Sequence, residues 1–352
     1  MIQAIRAFKY LTPFVLYFLA YIAFHETGWA CWYPILYVFF VIPIVELFIK
    51  ADSRNMETLE ESIAKKNVLY DLILYAAVLF QYFSLWVFLN AMKQPNLSFL
   101  DMAGRIAGMG LLCGTFGINV AHELGHRVNQ WEQFLAKTLL LTSLYMHFFI
   151  EHNKGHHKHV ATPQDPSTAK YKQSVYAFWP QTLIGTYLSA WKITKEELIK
   201  KNVSWFSVQN EMLIFQIVQL LLVICIYLFF GGLVCSCFLL AALMGGLLLE
   251  TVNYIEHYGL TRNASNEDHY ERVQPHHSWN SNHIIGRLML FELSRHSDHH
   301  YLASRKYQIL RHFDHAPQMP TGYPGMILLS LFPPLWFKTM HRQMKKYGIK
   351  ES

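Results

Sequence analysis

The sequence predicts an all-α, polytopic membrane protein in which six transmembrane helices carry a histidine-rich cap on their cytoplasmic side. Three observations predict this class. Of the 352 residues, 53% are hydrophobic and only 15% are charged, which is too apolar for an ordinary soluble enzyme. Six segments meet or approach the roughly 20 apolar residues that a span requires. Histidines crowd into three short groups beside or between those segments.

The predicted spans are 10–24, 31–49, 68–90, 103–121, 212–230 and 234–255. Arg6 and Lys9 precede the first run as they would in a signal peptide. No small-residue cleavage site follows it, and Trp29, Trp32 and Tyr33 form an interfacial belt, so the segment reads as a span. Gly231-Gly232 supplies the turn between the last two spans. The apolar stretch 134–150 lies between two histidine groups, and a short helix lying under or dipping into the membrane fits it better than a seventh crossing. Residues 322–337 are interrupted by Pro324, Pro333 and Pro334 and are read the same way. No repeat, low-complexity tract or Gly/Ser linker divides the chain, so residues 1–352 are read as one domain with a catalytic cap at 122–210 and 256–352.

With six crossings, both termini, the 50–67 loop, the 122–210 region and the tail share one side and hold all of the Lys and Arg residues except Lys93 and Arg105. The positive-inside rule makes that side cytoplasmic, as in a bacterial inner membrane. The net charge of +6 follows from this topology, which leaves little support for a nucleic-acid partner. The five cysteines, Cys31, Cys113, Cys225, Cys235 and Cys237, lie in apolar segments and form no Cys-x-x-Cys pair, so they read as packing residues.

The histidine groups are His122-Glu123-Leu124-Gly125-His126, His152-Asn153-Lys154-Gly155-His156-His157 and His296-Ser297-Asp298-His299-His300. Neutral imidazole is the commonest side-chain ligand for transition metals, and residues three or four apart share a helix face. The fourth span runs into His122 and His126 without a helix breaker, and the sixth delivers His257 just before Gly259, a C-cap residue. The first group also matches His-Glu-x-x-His, the zinc-protease helix. A zinc site needs one further ligand, however, whereas the three groups with His257 offer nine imidazoles, enough for two metals with positions left open. Zinc would explain hydrolysis or structure, and a pair of non-haem irons would explain oxygen chemistry on an inert substrate. Four acids, Glu123, Glu151, Glu256 and Asp298, each adjoin a candidate ligand; they are expected to accept imidazole N–H bonds and to offset the metal charge. His147, His159, His312 and His315 flank the groups without a helical repeat. His276-His277 lacks a third partner, and His25, His269, His283 and His341 read as loop or interface residues.

Taken together, these residues resemble the membrane-bound alkane 1-monooxygenase family, within the wider histidine-box group of fatty-acid desaturases and xylene monooxygenases. The resemblance rests on residues 119–126, 151–157, 161–166, 253–260 and 295–300, with further similarity at 310–313 and 316–320. It implies a six-span enzyme with two non-haem irons that hydroxylates the terminal methyl of an alkane taken from the bilayer. The implied ligands are His122, His126, His152, His156, His157, His257, His296, His299 and His300. Electrons would come from a rubredoxin and its NAD(P)H-dependent reductase; the cysteine inventory makes that rubredoxin a separate protein. Alternatives are a fatty acyl lipid desaturase or hydroxylase, a xylene-type aromatic methyl monooxygenase and, in a different class, a membrane metal transporter. The last needs ionisable residues along a path across the bilayer, and the mid-span segments are nearly bare of them.

Overall fold

A computed structural model describes residues 6–266 and 269–349; the side chain of His269 lies outside that description. Apart from a two-strand hairpin, Ala264–Asn266 against His269–Tyr270, the described residues form helices and connecting loops. Five helices are long and apolar enough to cross a membrane: Arg6–His25, Gly28–Phe48, Leu69–Ala91, Glu211–Phe230 and Gly232–His257. The chain is therefore a multi-pass membrane protein.

The segment predicted as the fourth span is helical but differs in kind. It begins at Ser98, whose hydroxyl accepts the Asp101 N–H, and continues as Phe99–Leu112, a π turn at Cys113–Ile118 and Asn119–Gly125. From Gly108 to Gly125 every residue except Gly114 is buried. A helix enclosed by protein does not need the uniform apolarity of one facing lipid, so this rod tolerates Asp101, Arg105 and several glycines. Those glycines let neighbouring helices approach closely. A Cβ at Gly245 would lie 2.5 Å from the Cys113 Cβ, and one at Gly110 would lie 2.8 Å from Met244.

Glu211–Phe230 is the opposite case. It is capped by Asn210, whose side chain accepts the Leu213 N–H, and it leaves Ile217, Leu220, Leu221, Leu228 and Phe229 exposed, as a lipid-facing helix should. Gly231, at φ +87°, ends it and reverses the chain into Gly232–His257.

Two interior stretches differ from the sequence expectation. The 134–150 helix is shorter: Gln130–Thr142 stops, the chain turns through Leu144 at φ +51°, and Phe148–Glu151 begins the second histidine group. A 26-residue helix, Val175–Lys200, was not anticipated. It buries Val175, Phe178, Thr182, Thr186, Ala190, Thr194 and Leu198, a stripe at helical spacing in which threonines conceal the apolar periodicity. Residues 322–337 are divided at the prolines, with Pro324 in the first turn of Tyr323–Ser330 and Pro333-Pro334 opening Pro333–Lys346.

Candidate metal centre

The nine histidines named from sequence converge on two adjacent points. His122, His126, His152, His157 and His299 form one group and His156, His257, His296 and His300 the other, with the potential ligand atoms of each group within 4.8 Å of one another. Within the first, Nε2 of His299 lies 2.9 Å from that of His122 and 3.0 Å from that of His157, which is itself 3.0 Å from His152 Nε2. Within the second, His296 Nε2 lies 2.9 Å from His300 Nε2 and 3.2 Å from His257 Nε2. Two imidazoles bound at about 2.1 Å and at right angles on one ion would have nitrogens about 3 Å apart.

Local helix geometry divides the nine histidines in a way that simple spacing does not. His152–His156 is a π turn, in which residues five apart align, so His152 and His157 meet while His156 is directed to the other group. The third group lies on an α-helical turn, His296–Tyr301, where His296 and His300, four apart, meet and His299 crosses to the five-histidine group. The first group stays together on Asn119–Gly125 and its C-cap, His126.

The residues present fit metal ions. Nε2 of His126 and of His156 are buried without a hydrogen-bond partner, each within its cluster, as lone pairs awaiting an ion would be. Burial pushes His126 down to about 3 and holds His122, His152, His157, His296, His299 and His300 well below the usual imidazole range. Neutral rings are the form that binds metal. His156 is the exception: burial alone would lower it, but the Asp165 carboxylate raises it.

Asp165 was not singled out from the sequence. Its Oδ2 lies 2.9 Å from His156 Nδ1 and accepts the Thr168 hydroxyl at 2.6 Å, while Oδ1 accepts the Ser167 N–H at 3.0 Å. It therefore performs the orienting task expected of four other acids. Of those four, only Glu256 reaches an imidazole nitrogen, with Oε2 3.2 Å from His296 Nε2 and Oε1 accepting the Tyr323 hydroxyl at 2.8 Å. The described contacts of the other three lead elsewhere. Glu123 accepts from Arg127 and the Tyr307 N–H, Asp298 from the Arg311 N–H and Arg305, and Glu151 from the Ser189 hydroxyl. Burial raises Glu151 to about 8.

The view of the spans as nearly free of ionisable groups also needs correction. Glu250, on Gly232–His257, is buried and accepts from Tyr145 at 2.6 Å, Thr182 at 2.5 Å and Asn253 at 3.1 Å. The remaining histidines whose side chains are described stay outside both clusters. His276 and His277 do gather with Glu271, but His277 Nδ1 accepts the Gln274 N–H at 2.9 Å, so its neutral ring carries the proton on Nε2, the nitrogen 3.4 Å from Glu271.

Beside the four-histidine group lies an apolar cavity bounded by Leu16, Leu111, Leu249, Val252, Leu293 and Tyr323, among others. Tyr323 joins this wall to the cluster through Glu256. The two clusters differ in access. His126 and His157 of the five-histidine group are half-buried, whereas all four rings of the other group are buried.

Comparison with known proteins agrees with this geometry. The fatty acid desaturase family model matches residues 102–343. Alkane 1-monooxygenase 2 of Pseudomonas aeruginosa is 39% identical over 325 residues, covering 91% of this chain and 85% of that protein. Alkane 1-monooxygenase 1 of the same organism is 37% identical over 95% of this chain and 88% of its own length. The xylene/toluene monooxygenase hydroxylase component of Pseudomonas putida is 31% identical, over 68% of this chain and 63% of that protein. With its two histidine clusters and this likeness along nearly its whole length, the chain belongs to the alkane 1-monooxygenase family, within the fatty acid desaturases.

Proposed function

We propose that this protein hydroxylates the terminal methyl of an alkane drawn from the bilayer, using dioxygen and electrons from a separate rubredoxin supplied by an NAD(P)H-dependent reductase. The observation that carries the reading is the convergence of nine imidazoles on two points beside an apolar cavity. The five-histidine and four-histidine groups would each hold one iron. Bound there, the irons would supply activation of dioxygen and insertion of one of its atoms into a C–H bond.

The chain's own residues do the rest. The cavity walls, which are almost entirely hydrocarbon, take up the alkane and keep water away, and Leu293, three residues before His296, joins that wall to the third histidine group. Asp165 fixes the His156 ring through Nδ1 and supplies negative charge there, while Glu256 lies against the cluster-facing Nε2 of His296. The half-buried edges of His126 and His157 give an electron carrier its shortest approach to the centre. The six-crossing topology belongs to the same proposal: the enclosed rod from Phe99 crosses as the fourth span, and the regions 122–210 and 256–352 form a cytoplasmic face in a bacterial inner membrane.

Reconstitution with octane, rubredoxin, its reductase and oxygen-18 gas tests the proposal. The expected product is 1-octanol carrying the heavy isotope, from protein holding iron. Label arriving from water, oxidation at internal carbons, or purified protein holding zinc and no iron would overturn it.

A further inference from the structure

At Arg295, the residue before the third histidine group, lies a polar cleft of about 310 Å³ lined by Arg6, Lys9, Arg54, Arg287 and Arg295 against Asp52, Glu60 and Glu292. Four of its cations have carboxylate partners: Arg6 with Glu60 at 2.8 Å, Lys9 with Glu292 at 3.5 Å, Arg54 with Asp52 at 2.8 Å and Arg287 with Glu292 at 2.7 Å. Arg295 has none among the described residues. Its guanidinium donates to the carbonyls of Leu310 at 2.7 Å and Arg54 at 2.8 Å, and more weakly to Asn55 and Asp52, while its Nε is buried without a partner. A guanidinium enclosed with unbalanced positive charge is costly without an anion.

The cleft's position indicates which anion. Arg6 and Lys9 open the first apolar helix, and Asp52 and Arg54 lie just beyond the end of the second, Gly28–Phe48. Those helices carry exposed Phe8, Leu11, Leu47 and Phe48 at the same ends. A cleft at this depth meets lipid headgroups, with apolar side chains next to it to receive acyl chains. We propose that the cleft binds the phosphate of an anionic phospholipid through Lys9, Arg54 and Arg295. The Arg295 carbonyl accepts the N–H groups of Asp298 at 3.2 Å and His299 at 3.4 Å, so a lipid that steadies Arg295 also steadies the turn carrying His296, His299 and His300.

The test uses the full-length protein in neutral detergent, with bound lipid read by native mass spectrometry and thermal stability measured alongside. Phosphatidylglycerol should bind at least about tenfold tighter than phosphatidylcholine and raise the melting temperature. The double variant Lys9→Gln, Arg54→Gln should weaken phosphatidylglycerol roughly tenfold or more, since each removes a cation from headgroup depth. Lys338→Gln with Lys345→Gln, an equal loss of charge at exposed positions on another helix, should leave binding unchanged. Equal affinity for the two lipids, or equal loss in both double variants, would overturn the site. Inorganic phosphate stabilising the protein as well as phosphatidylglycerol would overturn the lipid as its source.

Discussion

Asp165→Asn isolates the contact on which the four-histidine site most depends. The carboxylate holds the Nδ1–H of His156 at 2.9 Å and is itself fixed by Thr168 and the Ser167 N–H, so the side chain should stay in place when an amide replaces it. What disappears is a full negative charge next to a buried histidine, and with it the preference for the ring orientation that turns Nε2 inward. Loss of such a partner typically weakens metal binding 10- to 100-fold, or about 1.4–2.7 kcal/mol. Iron retained after dialysis against graded chelator measures the effect. At a chelator concentration that leaves the unmodified protein with both ions, the variant should keep the five-histidine ion and lose the other. Asp298→Asn is the matched comparison. It removes the same charge inside the third histidine group, but its carboxylate serves Arg311 and Arg305. Retention of both ions by Asp165→Asn, or equal loss from Asp298→Asn, would refute the reasoning.

Glu292 is fully buried, yet Arg287 and Lys9 overcome burial and hold its carboxyl down at about 2. A depressed carboxylate stabilises the fold above its unfolded value near 4.5, and that stability is lost as pH falls toward 2. The contribution is on the order of 3 kcal/mol, so melting curves should fall steeply below pH 4.5 in the unmodified protein and less steeply in Glu292→Gln. Gly245→Ala places a methyl 2.5 Å from the Cys113 Cβ where two helices touch. It should cost about 1–3 kcal/mol, read as a lower melting temperature in detergent. Leu249→Trp fills the apolar cavity; KM for octane should rise at least about tenfold while iron content, measured on the same sample, stays constant. Raising the ionic strength should slow reduction by an acidic rubredoxin in stopped-flow mixing and leave single-turnover chemistry on pre-reduced protein unaffected.

All nine histidines were legible because each group repeats at a spacing that a helix can use, and His257 because it ends a long apolar run at a glycine. Their division between two sites was not legible. An α-helical reading pairs His152 with His156, and only a π turn, which leaves no mark in residue spacing, pairs His152 with His157 instead. Asp165 was missed for a related reason. It stands nine residues from its histidine in a turn, and its one local signal, an aspartate whose side chain accepts the N–H two residues on, is common to ordinary loops. Glu123 and Asp298, although adjacent in sequence to ligands, point their carboxylates at arginines, since neighbours along a helix diverge by about 100°. The fourth predicted span shows the limit of hydropathy. Its glycines and Arg105 dilute the signal because protein, not lipid, surrounds it.

Under the proposed ligand set, the two sites meet one electrostatic demand by different routes. A divalent ion held only by neutral rings leaves its charge to be balanced by the surroundings. In the five-histidine group, His126 and His157 are half-buried, so water at the surface can solvate part of that charge, and Glu123, next to His122 in sequence, is already committed to Arg127. The four-histidine group has no such access, and it is there that carboxylates approach the rings: Asp165 at His156 and Glu256 at His296. The carboxylates therefore stand in for solvent on the side that faces the apolar cavity, where water would compete with the alkane. This arrangement leads to the expectation that neutralising Asp165 impairs metal retention far more than neutralising Glu123.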